Sequence, residues 1–356
     1  MDSFEQFLDQ IEPASRANLA QSIERQSRLT KPPYALGELE NIANKYASIV
    51  DEFPPKVPEA ITVAVFAGDH GVLEEGVSPW PKEVTMQMLG NFIAGGAAIN
   101  AIARQVGAEV TVVDVGVDGD TSAMSGVVNK KISNGTSNLA LGPAMSLLQA
   151  KQGVQAGFEV GNSIIDAGSE LLVTGDMGIG NTTPSAALIS WFVGSDVETT
   201  TGRGTGIDDQ RMKIKITAIE SSHDRLRREG VKDPLEVLAS IGGYEIAALS
   251  GYILAAAVRK VPLVLDGVIA NAAAIVAHQL NPNITDYLFA GHLSKEPGAA
   301  KALEYLELEP ILKLDLRLGE GTGGCLSVPI IQAAVRTLVE MATFESAGVS
   351  ENLSTP

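Results

Sequence analysis

The sequence predicts an α/β fold in which βα units build a mostly parallel sheet. Three observations predict it. From residue 60 onward, short β-branched runs end in glycine-rich turns and lead into longer alanine-rich runs, the alternation expected of βα units. These short runs are continuously apolar, as in strands covered on both faces. Residues 1–50 lack such runs and instead carry apolar side chains at helical spacing.

In order along the chain, "DSFEQFLDQI" places Phe4, Phe7, Leu8 and Ile11 on one helical face, with Ser3 or Asp2 as N-cap. "KPPYALGELENIANKYASIV" sets Pro32 and Pro33 ahead of a second helix. "ITVAVFAGDHG" is a strand ending at Asp69, and "EVTVVDVGVDGD" is another, ending between Asp114 and Asp120. "SELLVTGDMGIGNTTPSAALISWFV" reads as strand, glycine loop and helix. "KVPLVLDGVIANAAAIVAHQL" repeats that plan with Asp266 at the turn. "ITDYLFAGH" is a further strand, and "ILKLDLRLG" is a weaker strand pattern. "LSVPIIQAAVRTLVEMATF" is a long helix with Pro329 early in it, and "SAGVSENLSTP" is a fraying tail. No linker, charge run or solenoid period divides the chain.

Composition narrows the function. A net charge of −17 disfavours nucleic acid and anionic membranes as partners. A single phosphate can still bind, because backbone N–H groups and helix N-termini need no net positive charge. One cysteine excludes an intrachain disulfide and fits a reducing cytoplasm. "MDSFEQFLDQ" lacks the basic-then-apolar order of a signal peptide. No uninterrupted apolar run approaches ~20 residues, so no membrane span is expected. The 36 glycines cluster at a few sites, the pattern of ligand loops.

In parallel sheets, ligands collect at the carboxyl ends of the strands. Asp69, Asp176 and Asp266 each follow an apolar run, and Glu320 follows the weaker strand pattern. Each acid alone also reads as a helix cap or turn former. The glycine setting separates them, favouring a ligand role most for Glu320 and next for Asp176. In "GDMGIGNTTPSAA", Gly175, Gly178 and Gly180 allow tight turns and close ligand approach, while Asn181, Thr182 and Thr183 supply donors where a helix begins. That loop suits a phosphate monoester. "TGRGTGIDD", with Gly202, Gly204 and Gly206, is either a second ligand loop or a mobile surface loop. "RLGEGTGGC" presents Glu320 on an almost bare backbone. Cys325 reads as a small buried helix residue, and His278 as a packed core residue.

Several chemistries lack their signatures. There is no G-x-x-x-x-G-K-[ST] loop, no H-E-x-x-H and no G-x-S-x-G. Four scattered histidines and one cysteine make no closed zinc site, so no metal is expected. The only G-x-G-x-x-G, at Gly319, Gly321 and Gly324, opens the last long helix and not an early βαβ unit, which argues against a nicotinamide-dependent oxidoreductase.

The same loops carry a family resemblance. "KPPYALGELE", "FAGDHGV", "GVSPWPKEVTMQM", "VDVGVDGD", "NLALGPAMS", "GDMGIGNTTPSAA", "TGRGTGIDD", "LASIGGYEIAALSG", "LVLDGVIANAAA" and "RLGEGTGG" follow one another in the order and spacing of a known family. Over about residues 31–345 the chain resembles nicotinate-nucleotide–dimethylbenzimidazole phosphoribosyltransferases. The resemblance implies a Rossmann-like sheet plus a small helical domain from both chain ends, residues 1–50 with 326–356, beside a catalytic domain of residues 51–325. It implies transfer of phosphoribose from nicotinate mononucleotide to 5,6-dimethylbenzimidazole or a related base, without a cofactor, by a homodimer with its site near the interface.

By the same resemblance, Glu320 is the base that takes the azole proton. Asp176 stands where many relatives carry Glu, one methylene longer, and acts through water or electrostatically. Lys215 aligns with a site lysine, and equally reads as a solvated helix lysine. Asp266 aligns with an aspartate near the aromatic-base pocket. Ser294 lies in a phosphate-side segment, "GHLSKEPGA". Gly175, Gly178, Gly180, Asn181, Thr182 and Gly204 fall in the substrate loops. Trp80 and Met88 belong to the acceptor segment, where Trp80 either narrows the slot or packs in the core. The segment with Tyr34 and Ala35 is expected to close over the nucleotide. A nucleotide-binding regulatory module of the same fold, without turnover, is the alternative.

Overall fold

The computed structural model describes residues 3–350, in which seven strands form one sheet with every pairing parallel. The strands are β1 (Ile61–Gly68), β2 (Ala108–Gly116), β3 (Val127–Asn129), β4 (Leu171–Met177), β5 (Leu263–Leu265), β6 (Leu288–His292) and β7 (Pro310–Leu312). Their order is β3-β2-β1-β4-β5-β6-β7. All eight residues of β1 are buried, which is why it reads as an unbroken apolar run. The order reverses between β1 and β4, and a crevice opens at such a switch point.

The helices are α1 (Arg16–Arg28), α2 (Glu38–Ile49), α3 (Glu83–Ile93), α4 (Ala98–Val106), α5 (Leu147–Asp166), α6 (Thr182–Val193), α7 (Val197–Thr200), α8 (Asp209–Glu229), α9 (Pro234–Ile241), α10 (Tyr244–Val258), α11 (Val268–Leu280), α12 (Pro297–Tyr305), α13 (Thr322–Glu340) and α14 (Phe344–Ala347). Alternate side chains of β1 reach two layers. Val63 and Val65 point toward the loop that opens α13. Phe66 packs edge-on against Tyr252 of α10 at 5.5 Å. α10 and α11 cover one face, and α3, α4 and α13 cover the other. A third layer, α5, lies over α10. The two backbones approach so closely that a Cβ on Gly157 would overlap the Ala248 carbonyl, and one on Gly251 would overlap that of Val154.

The chain ends are tied to this body. One continuous apolar cluster joins Phe4, Ile11, Ile42 and Tyr46 to the sheet. Arg25 donates to the carbonyls of Leu338 and Val339 in the last turn of α13, where the carbonyls lack helical partners.

Several elements differ from the sequence reading. Phe4–Gln10 is a 3₁₀ helix, capped by Ser3, whose hydroxyl accepts Glu5 N–H at 3.4 Å. Asp2 and the tail beyond residue 350 lie outside the described residues. β3 is a short edge strand with no apolar run to announce it. β7 ends at Leu312, so residues 313–321 form a long loop in place of the longer strand pattern. α13 begins at Thr322, so a domain boundary between residues 325 and 326 falls inside a helix. His278 is half-buried, its ring edge-on to Tyr305 at 5.7 Å. α13 is long and apolar enough by composition to cross a membrane, yet more than half of it is buried against β4–β7, α2 and α4.

Candidate active site

A cavity of about 400 Å³ opens at the carboxyl edge of the sheet. Its walls come from the loops that follow β1, β4, β5, β6 and β7, and from residues 203–207. A larger hollow of about 780 Å³ at Trp191, His223 and Arg227 lies on α6–α8, away from the strand ends.

Glu320 enters the cavity from the loop between β7 and α13. Gly319, Glu320 and Gly321 have φ of 80°, 64° and 93°. A left-handed glutamate costs roughly 1–2 kcal/mol, so other contacts must hold it. Asp266 supplies them. Its Oδ2 accepts Gly321 N–H at 3.1 Å, and its Oδ1 accepts Gly323 N–H at 2.7 Å and Gly324 N–H at 2.9 Å. Glu320 N–H also donates to the Asp176 carbonyl at 3.3 Å. At the other end of the side chain, Ile99 N–H, in the first turn of α4, donates to Glu320 Oε2 at 3.2 Å. Among the described residues no donor reaches Oε1. Burial raises the Glu320 carboxyl above the ordinary carboxylate range; Ile99 N–H opposes the shift and the Asp266 charge adds to it.

Asp176 is the penultimate residue of β4, beside the loop of Glu320. Its Oδ2 accepts Asn181 Nδ2–H at 2.9 Å, and its buried Oδ1 has no partner among the described residues. Burial pushes its carboxyl well up, and the charges of Asp266, Glu245 and Glu320 add to that, against the Asn181 hydrogen bond. Asp176 and Glu320 thus form a desolvated acidic end suited to a cationic centre.

Another part of the wall is cationic. Lys215, on α8, is buried, and its Nζ donates to Thr182 Oγ1 at 2.8 Å and to the Gly202 carbonyl at 3.0 Å. It is therefore not a solvated helix lysine. Desolvation drives its pKa down to about 8, against the charge of Glu296. Arg203 and Arg317 join this wall. Val77, Trp80, Val84, Met88 and Leu318 give the wall its apolar part. Trp80 is 52% exposed, so it lines the cavity and does not pack in the core.

Comparison with known proteins places this arrangement. A family model described as a phosphoribosyltransferase matches residues 11–349. The nicotinate-nucleotide–dimethylbenzimidazole phosphoribosyltransferase of Desulforudis audaxviator is 48% identical over 351 residues, 99% of either chain. That of Salinispora tropica is 48% identical over 355 residues, covering 96% of this chain and 97% of its own. The crystal structure of the Thermus thermophilus protein of that name superposes with a TM-score of 0.90 at 43% identity, covering 95% of this chain and 100% of its own. The chain belongs to the nicotinate-nucleotide–dimethylbenzimidazole phosphoribosyltransferase family. It is accordingly a transferase, and the reading as a regulatory module without turnover falls behind.

For a member of this family, the cavity gathers most of the residues picked from sequence. Glu320, Asp176, Trp80, Met88, Gly178, Gly180, Asn181, Thr182, Gly204, Lys215 and Ser294 all line it. Gly175 and Asp266 do not. Gly175 instead lets the Glu320 backbone approach β4, since a Cβ there would sit 2.7 Å from the Glu320 carbonyl oxygen. Asp266 sits behind the glycine loop, with both oxygens occupied by backbone N–H groups and His292 Nε2 at 3.4 Å. Asp69 neither lines the cavity nor forms a local turn: its Oδ2 accepts Asp118 N–H at 2.8 Å, tying the loop after β1 to the loop after β2. Tyr34 and Ala35 lie outside the cavity wall, with Tyr34 86% exposed. Sequence reasoning missed Glu296, Arg203 and Arg317. Each lies inside a glycine-containing segment, "TGRGTGIDD", "RLGEGTGGC" or "GHLSKEPGA", and that setting was the available signal.

Proposed function

We propose that this transferase moves the phosphoribosyl group of nicotinate mononucleotide to a ring nitrogen of 5,6-dimethylbenzimidazole or a related base. The products are α-ribazole 5′-phosphate and nicotinate, with inversion at the anomeric carbon. The bond from C1′ to the pyridinium nitrogen breaks, and its electron pair leaves with nicotinate, whose ring nitrogen becomes neutral. The azole nitrogen bonds to C1′ from the opposite face. The azole's second nitrogen then carries an acidic N–H, and Glu320 takes that proton. Glu320 offers negative charge to the electron-poor sugar centre, a cationic centre beside Asp176 draws that carboxyl back toward its ionised form, and Lys215, Arg203 and Arg317 suit the phosphate end.

The observation that carries this reading is the placement of Glu320. Its Oε2 is fixed by Ile99 N–H, its Oε1 has no protein donor among the described residues, and its acidity is weakened toward that of a useful base. Replacing Glu320 by Gln is expected to lower kcat by ~10²–10⁴-fold with nicotinate mononucleotide affinity retained. Nicotinate release followed against time measures the first, and calorimetric titration the second. A kcat near that of the unmodified protein would remove the base role. The homodimer belongs to the same proposal; light scattering should give twice the chain's 37.2 kDa, and a monomer under assay conditions would refute it.

A further inference from the structure

Glu296 is a buried carboxylate at the cationic end of the cavity, and no step of the proposed transfer uses it. It stands at the N-cap of α12, but its side chain does not cap that helix. Instead the side chain crosses to the 202–206 glycine loop, where Oε1 accepts Gly204 N–H at 2.9 Å. Gly202 lies so close to the carboxylate that any Cβ there would overlap Oε2. The carbonyl of Gly204 accepts from Arg317, and that of Gly202 accepts from Lys215. Residues 202–204 are therefore held by three charged side chains, one following β6, one following β7 and one on α8. An acid beside Lys215, Arg203 and Arg317 weakens anion binding unless it has another task.

We propose that Glu296 is a positioning residue that fixes residues 202–204 and the Lys215 ammonium as a cradle for the nucleotide's phosphate. The inference rests on the transfer reaction proposed above. Lys215 has a second dependence on Glu296. Desolvation favours the neutral amine, and the Glu296 carboxylate opposes it. The other titratable and charged groups on the cavity wall are Arg203, Arg317, His292, Asp176 and Glu320. Glu296 is the one whose charge acts appreciably on Lys215.

The test compares Glu296→Ala and Glu296→Gln with the unmodified full chain, following nicotinate release over about pH 6–10 with nicotinate mononucleotide varied. The Ala variant should raise the KM for the nucleotide about tenfold or more while kcat changes by less than about threefold. The Gln variant keeps an acceptor for Gly204 N–H and should recover most of that loss near pH 6. Because Lys215 then loses its proton more easily, the Gln variant's KM should climb at a lower pH than in the unmodified protein. A purely structural role would lower thermal stability without moving that pH profile. KM values within twofold in both variants, or an unmoved profile in Glu296→Gln, overturn the proposal. If the Ala variant does not fold, the Gln profile decides alone. If the unmodified protein releases no nicotinate, the reaction reading falls separately, and calorimetric titration with nicotinate mononucleotide over the same pH range still decides the role of Glu296.

Discussion

Replacing Asp266 by Asn tests whether the glycine loop is held as described. The carboxylate accepts three backbone N–H groups, two on Oδ1 and one on Oδ2. An Asn that keeps its oxygen at the Oδ1 position retains the bonds from Gly323 and Gly324. Its amide NH₂ then faces Gly321 N–H, donor against donor. A hydrogen bond to a charged group contributes ~1.5–3 kcal/mol, and a stranded buried donor costs ~1–3 kcal/mol. Less repulsion with the buried carboxyls of Asp176 and Glu320 offsets part of this. The net expectation is a loss of about 2–4 kcal/mol, read as a lower denaturant midpoint with an unchanged slope. Gly321 is bonded to Glu320, so the base should also lose its aim and kcat should fall at least ~10-fold. The pH profile gives an independent sign. The Asp266 charge helps raise the Glu320 carboxyl, and the ionised form is the base. Removing that charge should therefore move the acid limb of kcat/KM to lower pH. An unchanged midpoint with an unmoved acid limb would refute the structural account of Asp266.

Two further outcomes follow from other parts of the molecule. Gly157→Ala drives a methyl group into the Ala248 carbonyl across the α5–α10 contact and should cost more than about 3 kcal/mol; a thermal midpoint equal to that of the unmodified protein would show that the helices part easily. Trp80→Ala removes a half-exposed wall of the apolar side, so the KM for the aromatic acceptor should rise about twofold to tenfold while that for the nucleotide stays constant. Competition among dimethylbenzimidazole, benzimidazole and adenine reads the same wall. A change in the nucleotide KM alone would mean that the acceptor lies elsewhere.

The parallel sheet was legible because β1 and β4–β6 are buried, mostly apolar runs and β2 becomes one over its last five residues, and that pattern needs no partner to be seen. β3 was not, because an edge strand of intermediate and exposed residues owes its conformation to its pairing with β2. Glu320 stood out through its glycines. Lys215 did not declare its burial, because a lysine on an amphipathic helix looks the same whether it faces water or a cavity. Asp266 and Glu296 mark the boundary of what a linear reading reaches. Both bond backbone N–H groups distant in sequence: those of Asp266 follow from β5, β6 and β7 lying side by side, and that of Glu296 from α12 packing on α6 and α7. The start of α13 was misplaced for a related reason, since Gly323 and Gly324 weigh against a helix by propensity and become helical where Asp266 binds their N–H groups.

The loop around Glu320 also orders events during synthesis. Everything that fixes this residue precedes it in the chain: Ile99 in α4, the carbonyl of Asp176, and the carboxylate of Asp266. A growing chain with residues 61–300 already out of the ribosome contains Lys215 and the apolar residues Val77, Trp80, Val84 and Met88, but not Arg317, Leu318 or Glu320, so those three anchors are still unoccupied. The last part of the chain to dock is then β7, the nine-residue loop and the whole of α13, which covers one face of the sheet. The proton acceptor is thus set in place only as the second face of the sheet is covered, which keeps chemistry waiting on completion of the fold.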